Sequence, residues 1–478
     1  MTLRILSLCA EMEPWCRTGG LGDVAAALPR AIADGDRAHE ILFATALPLY
    51  GAIGAKLERS RLRRVDGPSV DATVGGETFS GTWYALDDGV AWPVYFLECK
   101  DLFDGPSLYE MPESSPHTLA QRFGFFCLAA QLSADRLCQG ETDILHLHDW
   151  HVAPVARLNH VARMEAQRPK TVLTIHNLAF QGWFPVSEAP ELTDLGQDEH
   201  FSFLKQGVVY ADQMTTVSPR YAVEIQTQTF GCGLEQLLCQ RGVVGILNGI
   251  DDVSWDPSTD AALDAPFSVE SLAGRQLCRQ RLLADANWSD DPKAPLLGVV
   301  SRLAHQKGLD WVAELVPKLD ELNVRLVVLG TGEAALEQEL LHLSQAFPQR
   351  LHAIIRFDDA VARRIYAGTD VFLIPSRFEP CGLTQLYAMR YGSVPIVNPV
   401  GGLRDTVFDG DDPRAQTGYH MQEESTEGLY DALQRACSTY RESPQTWAEI
   451  QLNGLRFNSR WQNSGLAYLA LYRDLLNR

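Results

Sequence analysis

The strongest constraint on the fold is a short apolar run that breaks off into polar and glycine residues and then into helical spacing. Its sharpest instance is Val371-Phe372-Leu373-Ile374-Pro375, then Ser376-Arg377-Phe378-Glu379-Pro380-Cys381-Gly382-Leu383-Thr384-Gln385, then a helix-like run from Gln385 to Tyr391. Such a run reads as a buried parallel strand whose carboxyl end opens into a loop, the place where open α/β sheets put ligands. Gly382 lets backbone amides approach a ligand, and a following helix start favours an anion or an oxygen-rich group. Glu379 is either an acid at a helix start or a chemical group, and these ten residues alone do not choose.

The same alternation begins at Ile5-Leu6-Ser7-Leu8, whose loop ends in Arg17-Thr18-Gly19-Gly20-Leu21-Gly22-Asp23 before a helix-like run from Val24 to Ile32. Gly20-x-Gly22-x-x-Ala25 matches a dinucleotide fingerprint, but its loop is about ten residues too long for the tight turn that fingerprint needs. The next strand, Ile41 to Ala44, ends in Thr45 with no acid for a ribose, so a nicotinamide site is rejected. Thr78 to Ala85 and Val90 to Phe96, around Asp87-Asp88-Gly89, read as a hairpin-like excursion; residues 101 to 116 read as loop and Leu119 to Leu137 as helix.

Three further strands deliver polar residues to their ends: Ile144 to Leu147 leads to His148-Asp149-Trp150-His151, Thr171 to Ile175 to His176-Asn177, and Met214 to Val217 to Ser218-Pro219. That exceeds what a core needs. A His-x-His pair (His146, His148) is a known metal spacing, but no thiolate pair or third ligand accompanies it, so His146 reads as a core imidazole and no metal is implied. The Asp-Gly-Asp triplets at 34–36 and 409–411 read as surface loops.

A chain of 478 residues exceeds one hydrophobic core and predicts at least two domains. Gly245 to Asp251 closes the first, and residues 252–294 form a polar connection with a helical middle. A second alternation then runs through Leu296–Val300, Arg325–Leu329, Ala353–Arg356, Val371–Ile374 and Pro395–Val397. After its first strand, Ser301-Arg302-Leu303-Ala304-His305-Gln306-Lys307-Gly308 offers two cations suited to a diphosphate, although either is in isolation also an ordinary surface charge. The tail from Thr446 to Arg478 reads as helix with enough apolar surface to dock on a neighbour.

Composition narrows the partners. Lys plus Arg number 41 against 61 Asp plus Glu, a formal charge of −20, which argues against nucleic-acid or anionic-membrane surfaces. The ten cysteines are scattered without a Cys-x-x-Cys pair and read as reduced thiols of a cytoplasmic protein. Residues 2–10 carry Arg4 and run into Glu11 and Glu13, which fits a strand better than a signal peptide; no stretch approaches the ~20 apolar residues of a membrane span.

Taken together, Arg17 to Asp23, His148 to His151, Thr174 to Gly182, Tyr210 to Pro219, Gly231 to Leu238, Ile246 to Asp251, Val299 to Asp310 and Pro375 to Gln385 resemble the bacterial glycogen synthase and plant starch synthase family, in its order and over nearly the whole chain. The resemblance implies two doubly wound Rossmann-like domains facing across a cleft (the GT-B type). It places an acceptor-side domain at 1–250, a sugar-nucleotide-side domain at 251–455, and a C-terminal helix at 456–478 returning to the first. It implies a retaining transfer of glucose from ADP-glucose to the non-reducing end of an α-1,4-glucan, without a cofactor. Arg302 and Lys307 would hold the diphosphate, Glu379 the glucosyl hydroxyls, and His176 would lie beside the reacting sugar. Asp149, Asn177, Arg17, Thr384 and the amides of Gly19, Gly20, Cys381, Gly382 and Leu383 would complete the pocket.

The family favours same-face attack over a covalent carboxylate intermediate. Departures are Arg17 where it carries lysine, the segment Ile32 to Gly54 without its usual arginine- and proline-rich pattern, and no lysine around Gly274-Arg275. Tyr387 stands where the wider retaining group often has a second Glu. Alternatives are UDP-glucose as donor, a short oligosaccharide as product, or a glucan-binding regulator with little turnover. Oligomeric state is not legible.

Overall fold

The computed structural model describes residues 2–35, 40–87, 92–105, 107–162, 168–194, 199–410, 412 and 414–477. Asp88 and Gly89 of the expected hairpin turn, and Asp36 and Asp411 of the two triplets, lie outside them. The chain divides into two compact units, Met1–Asn248 with Trp461–Arg478, and Gly249–Arg460.

The strands of the first unit are β1 (Leu3–Leu8), β2 (Ile41–Pro48), β3 (Leu62–Arg64), β4 (Val70–Val74), β5 (Glu77–Leu86), β6 (Val94–Glu98), β7 (Ile144–His148), β8 (Lys170–Ile175), β9 (Trp183–Pro185), β10 (His200–Ser202), β11 (Gln213–Thr216) and β12 (Val244–Gly245). Among the described residues the main sheet runs β12-β11-β8-β7-β1-β2-β6-β5-β3, with β4 paired to β5 and β9–β10 forming a separate ribbon. From β12 to β6 every neighbour is parallel, and β5 is antiparallel to β6, β3 and β4. The excursion is therefore three antiparallel strands, with the tight turn between β4 and β5 at Gly75 and Gly76, both at positive φ. Within residues 101–116, Lys100–Phe103 forms a short helix.

The second unit holds β13 (Leu296–Val300), β14 (Arg325–Gly330), β15 (Leu351–Ile355), β16 (Val371–Ile374), β17 (Val394–Val397) and β18 (Tyr419–His420), an all-parallel sheet in the order β15-β14-β13-β16-β17-β18. Parallel strands are buried on both faces, which is why they read as unbroken apolar runs. In β14, Leu326 and Val328 enter one core cluster while Val327 and Leu329 enter the other, as a two-residue pleat requires. Residues 252–294 are largely irregular around the helix Ala273–Asp285.

The tail is two helices. Pro444–Arg456 buries Trp447 and Ile450 in the second unit's core. The chain then breaks, Ile250 N donates to Ser459 O (2.8 Å), and Trp461–Leu476 begins. The crossing back thus falls at 460/461, later than position 455, because Trp447 and Ile450 tie the preceding helix to the second unit. Trp461, Tyr468, Leu469 and Tyr472 join Val24, Leu28 and Ile32 of the helix Gly20–Gly35 in one core cluster.

Gly465 permits this approach: a Cβ there would sit 2.9 Å from the backbone carbon of Ala31. Gly465→Val is therefore expected to lower stability by about 1–3 kcal/mol through overpacking, read as a lower Tm in thermal melts. An unchanged Tm would mean that the last helix does not depend on this contact.

Candidate active site

In the second unit the site is built at the carboxyl ends of β13 and β16. After β13 the chain makes a short turn, His305–Lys307, ended by Gly308 in the left-handed region at φ 66°. A side chain at Gly308 would collide with the carbonyl of Pro375, so glycine allows this turn to lie against the end of β16. Lys307 Nζ then donates to Glu379 Oε2 at 2.5 Å, and Ser376 Oγ donates to the same oxygen at 3.0 Å. Glu379 is buried.

The two loops are stitched further. Arg302, exposed, donates to Gln306 Oε1 (3.2 Å), whose Nε2 donates to Phe378 O (3.2 Å). Arg377 N donates to Gln306 O (2.9 Å), and its guanidinium makes a two-pronged pair with Asp310 (2.7 and 2.6 Å) while lying 3.9 Å over the Trp311 ring. Beyond Glu379, Gly382 is at φ 69° and Gln385 Nε2 donates to the carbonyls of Cys381 (3.1 Å) and Gly382 (2.8 Å), fixing the loop before the helix Thr384–Arg390. Gly402 N closes its other side on Glu379 O (3.1 Å). The expected Arg302, Lys307, Glu379, Cys381, Gly382, Leu383 and Thr384 thus occupy neighbouring loops. Ser376 lies in the stretch that the sequence singles out, although its bond to Glu379 is not legible there, whereas the 85% exposed Phe357, two residues beyond β15, carries no motif that marks it.

In the first unit, Asp149 follows β7 with φ 62°, uncommon for a residue with a side chain, and its Oδ1 accepts His176 N (2.7 Å) and Asn177 N (3.4 Å) at the end of β8. Burial pushes the Asp149 carboxyl up to about 7, against the lowering effect of those two N–H groups. His176 Nε2 is 3.0 Å from His148 Nδ1, and the His148 ring packs on that of His146 (centroids 4.1 Å). His146 bonds Thr174 Oγ1 through Nε2 (2.7 Å) and the hydroxyl of Tyr472 through Nδ1 (2.8 Å). A buried column therefore runs from His176 to the last helix, and the His-x-His pair serves it. Among the described residues no three His, Cys, Asp or Glu side chains are arranged to hold a metal ion.

The glycine loop of the first unit is set by a residue that the sequence does not flag. Glu11, buried, accepts Thr18 N (2.6 Å), Thr18 Oγ1 (2.6 Å), Gly19 N (3.1 Å) and the Tyr109 hydroxyl. Tyr109 in turn stacks on His151 (4.9 Å), which ties the glycine loop to the residues that follow β7. Arg17 reaches Glu13 (3.2 Å) and Asp23 (3.1 Å); burial lifts Asp23 to about 6, and Arg17 opposes that rise.

The model described as "Starch synthase catalytic domain" matches residues 4–240, and "Glycosyl transferases group 1" matches 294–439. The chain is 40% identical to a glycogen synthase of Acidiphilium cryptum over the whole of both chains. It belongs to the glycogen synthase family. Glycogen synthase 2 of Geobacter sulfurreducens is 37% identical over 98% of each chain. Among solved structures, the catalytic domain of starch synthase IV from Arabidopsis thaliana, bound to ADP and acarbose, matches with a TM-score of 0.86 and 30% identity over both entire chains. Sucrose-phosphate synthase from Thermosynechococcus elongatus, at 17% identity and a TM-score of 0.62, shares the fold. The fold is the two-Rossmann GT-B type of these glycosyltransferases.

The buried ionisable groups of the first unit make its stability depend on pH. Burial holds His146, His151 and His176 at about 3 and His148 well below its usual value, so all four are neutral in the fold. Each takes up a proton on unfolding below pH ~6.5, so its contribution is complete above that pH and is lost as pH falls towards 3. Asp23 and Asp149 act oppositely, because their raised values favour the fold in acid and that preference is lost as pH rises from ~4 to their folded values. Four groups outweigh two, so denaturant midpoints followed by circular dichroism should fall steadily from pH 7 to pH 5. A flat profile would mean that the histidines are protonated in the fold.

Proposed function

We propose that the chain transfers the glucosyl group of ADP-glucose to the 4-hydroxyl at the non-reducing end of an α-1,4-glucan, with retention at the anomeric carbon. The observation that carries this reading is the Lys307–Glu379–Ser376 group at the ends of β13 and β16, in a chain that matches glycogen synthases end to end. The starch synthase IV relative, solved with ADP and acarbose, supports both the adenine nucleotide and a glucan-like acceptor.

In this reading the bond from C1 to the diphosphate breaks as negative charge grows on the leaving oxygens. Arg302 and Lys307 meet that charge, since an ammonium has three donors and one suffices for Glu379. The amides of Cys381, Gly382 and Leu383 and the Thr384 hydroxyl add neutral donors, and Phe357 offers the base an exposed aromatic face at the end of β15. Glu379, negative and fixed, accepts glucosyl hydroxyls and favours the developing positive charge at C1.

On the acceptor side, Asp149 fixes the backbone of His176 and Asn177, and the neutral His176 lies beside the sugar without adding a second positive charge near C1. Gly19 and Gly20 leave open space where a side chain would stand, with the Gly19 amide held by Glu11, and Arg17 exchanges its surface carboxylates for phosphate oxygens. Glu379 Oε2 accepts from two donors and Asp149 Oδ1 from two amides, so both carboxylates are engaged in positioning. In this reading, as the resemblance implies, the acceptor oxygen attacks from the face that the diphosphate leaves, and its proton passes to the departing phosphate oxygen. Free thiols at all ten cysteines, and no helix among the described residues long and apolar enough to cross a membrane, support a cytoplasmic site of action.

The test is incorporation of labelled glucose into glycogen from ADP-glucose and from UDP-glucose, with the anomeric configuration of the product read by NMR. Transfer from ADP-glucose with an α-linkage is expected, and Arg302→Ala should cut turnover by about two to three orders of magnitude while remaining folded. No incorporation from either donor, or near-normal rates in the variant, would contradict the reading.

A further inference from the structure

Two large aromatic side chains stand out of the first unit just beyond His176 and Asn177. Phe180 and Trp183 are 60% and 59% exposed, yet the backbone that carries them is locked. Phe180 N donates to Asn177 O (3.2 Å). Gln181 is buried: its Nε2 donates to Cys232 O (2.9 Å), and its carbonyl accepts Ser202 Oγ (2.9 Å) and Leu204 N (3.1 Å). Gly182, at φ 61°, packs so closely on Trp150 that any Cβ would collide with the indole, and its carbonyl accepts Phe203 N (2.9 Å). Trp183 is held in the β9–β10 ribbon opposite Ser202, while the next residue, Phe184, turns inward against Phe203 (4.8 Å) and Trp150 (5.8 Å). Gln181, Gly182 and Phe184 are thus anchors, and Phe180 and Trp183 are what they display.

Folding gains nothing from leaving two such rings in water, whereas flat apolar faces on a rigid backbone bind with little ordering cost. The occupant is constrained by charge and by place. A chain of net charge −20 repels a second copy of itself or an acidic partner. An α-1,4-glucan is neutral, and each pyranose ring carries an apolar C–H face that stacks on aromatic rings. The patch also continues directly from the acceptor-side residues His176 and Asn177. Resting on the glucosyl-transfer reading above, we infer that Phe180 and Trp183 form a stacking platform for glucosyl units of the acceptor chain behind its reacting end.

The experiment is titration calorimetry of the full chain with maltoheptaose in the absence of donor, beside glycogen-saturation kinetics, for the parent, Phe180→Ala, Trp183→Ala, the double variant and Trp183→Tyr. The double variant should bind maltoheptaose about tenfold or more weakly and show a KM for glycogen raised to match, with ADP affinity unchanged, and Trp183→Tyr should keep most of the binding. An unaltered maltoheptaose affinity in the folded double variant overturns the platform while leaving glucosyl transfer standing. If the parent neither binds maltoheptaose nor extends glycogen, the transfer reading falls and the platform with it. If light scattering shows that the parent self-associates and the double variant does not, at equal glucan affinity, the patch is a contact between copies and the inference is wrong.

Discussion

The bond between Lys307 and Glu379 is the interaction around which the second unit's site is arranged. A carboxylate buried at a strand end is costly unless it is paired and hydrogen-bonded, and here both partners come from loops that must be brought together first. Gly308 makes that approach possible by turning where no side chain fits, the Arg377–Asp310 pair clamps one loop to the other, and Gly402 closes the far side of the Glu379 backbone. The pair is thus preorganised by the sheet ends before any ligand arrives, the condition under which fixed charges are most effective on a developing transition state.

The first unit positions its strand ends with a buried acid backed by neutral imidazoles. Asp149 accepts the unfavourable left-handed backbone at φ 62°, a cost of roughly 1 kcal/mol, and gains a carboxylate that holds the next strand's end at His176 and Asn177. Behind it the imidazoles are stacked and bonded in series down to Tyr472, and burial keeps them uncharged. The last helix consequently does more than cover a sheet face, since its tyrosine satisfies the innermost histidine.

Much of this was legible from residue order, because parallel strands buried on both faces announce themselves as apolar runs and their carboxyl ends follow at once. Glu379, Lys307, Arg302, Asp149 and His176 all stand at such ends. Pieces of two or three residues, such as β9, β10 and β18, are too short to carry a period. The break between the last two helices is hidden because helical spacing continues on both sides of it. Glu11 and Tyr472 were illegible for another reason: each acts through a partner distant in sequence, Tyr109 lying 98 residues from Glu11 and His146 lying 326 from Tyr472. An acid in a glycine-rich loop or a tyrosine in an amphipathic helix looks the same with or without such a partner.

The central claim is that Lys307 and Glu379 act as one preorganised unit rather than as two separate contacts. A double-mutant cycle in kcat/KM for ADP-glucose, using Lys307→Ala, Glu379→Gln and both together, tests it most directly. If the two act as a unit, the double variant is little worse than the worse single one, with a coupling energy well above about 1 kcal/mol. Losses that simply multiply would contradict it.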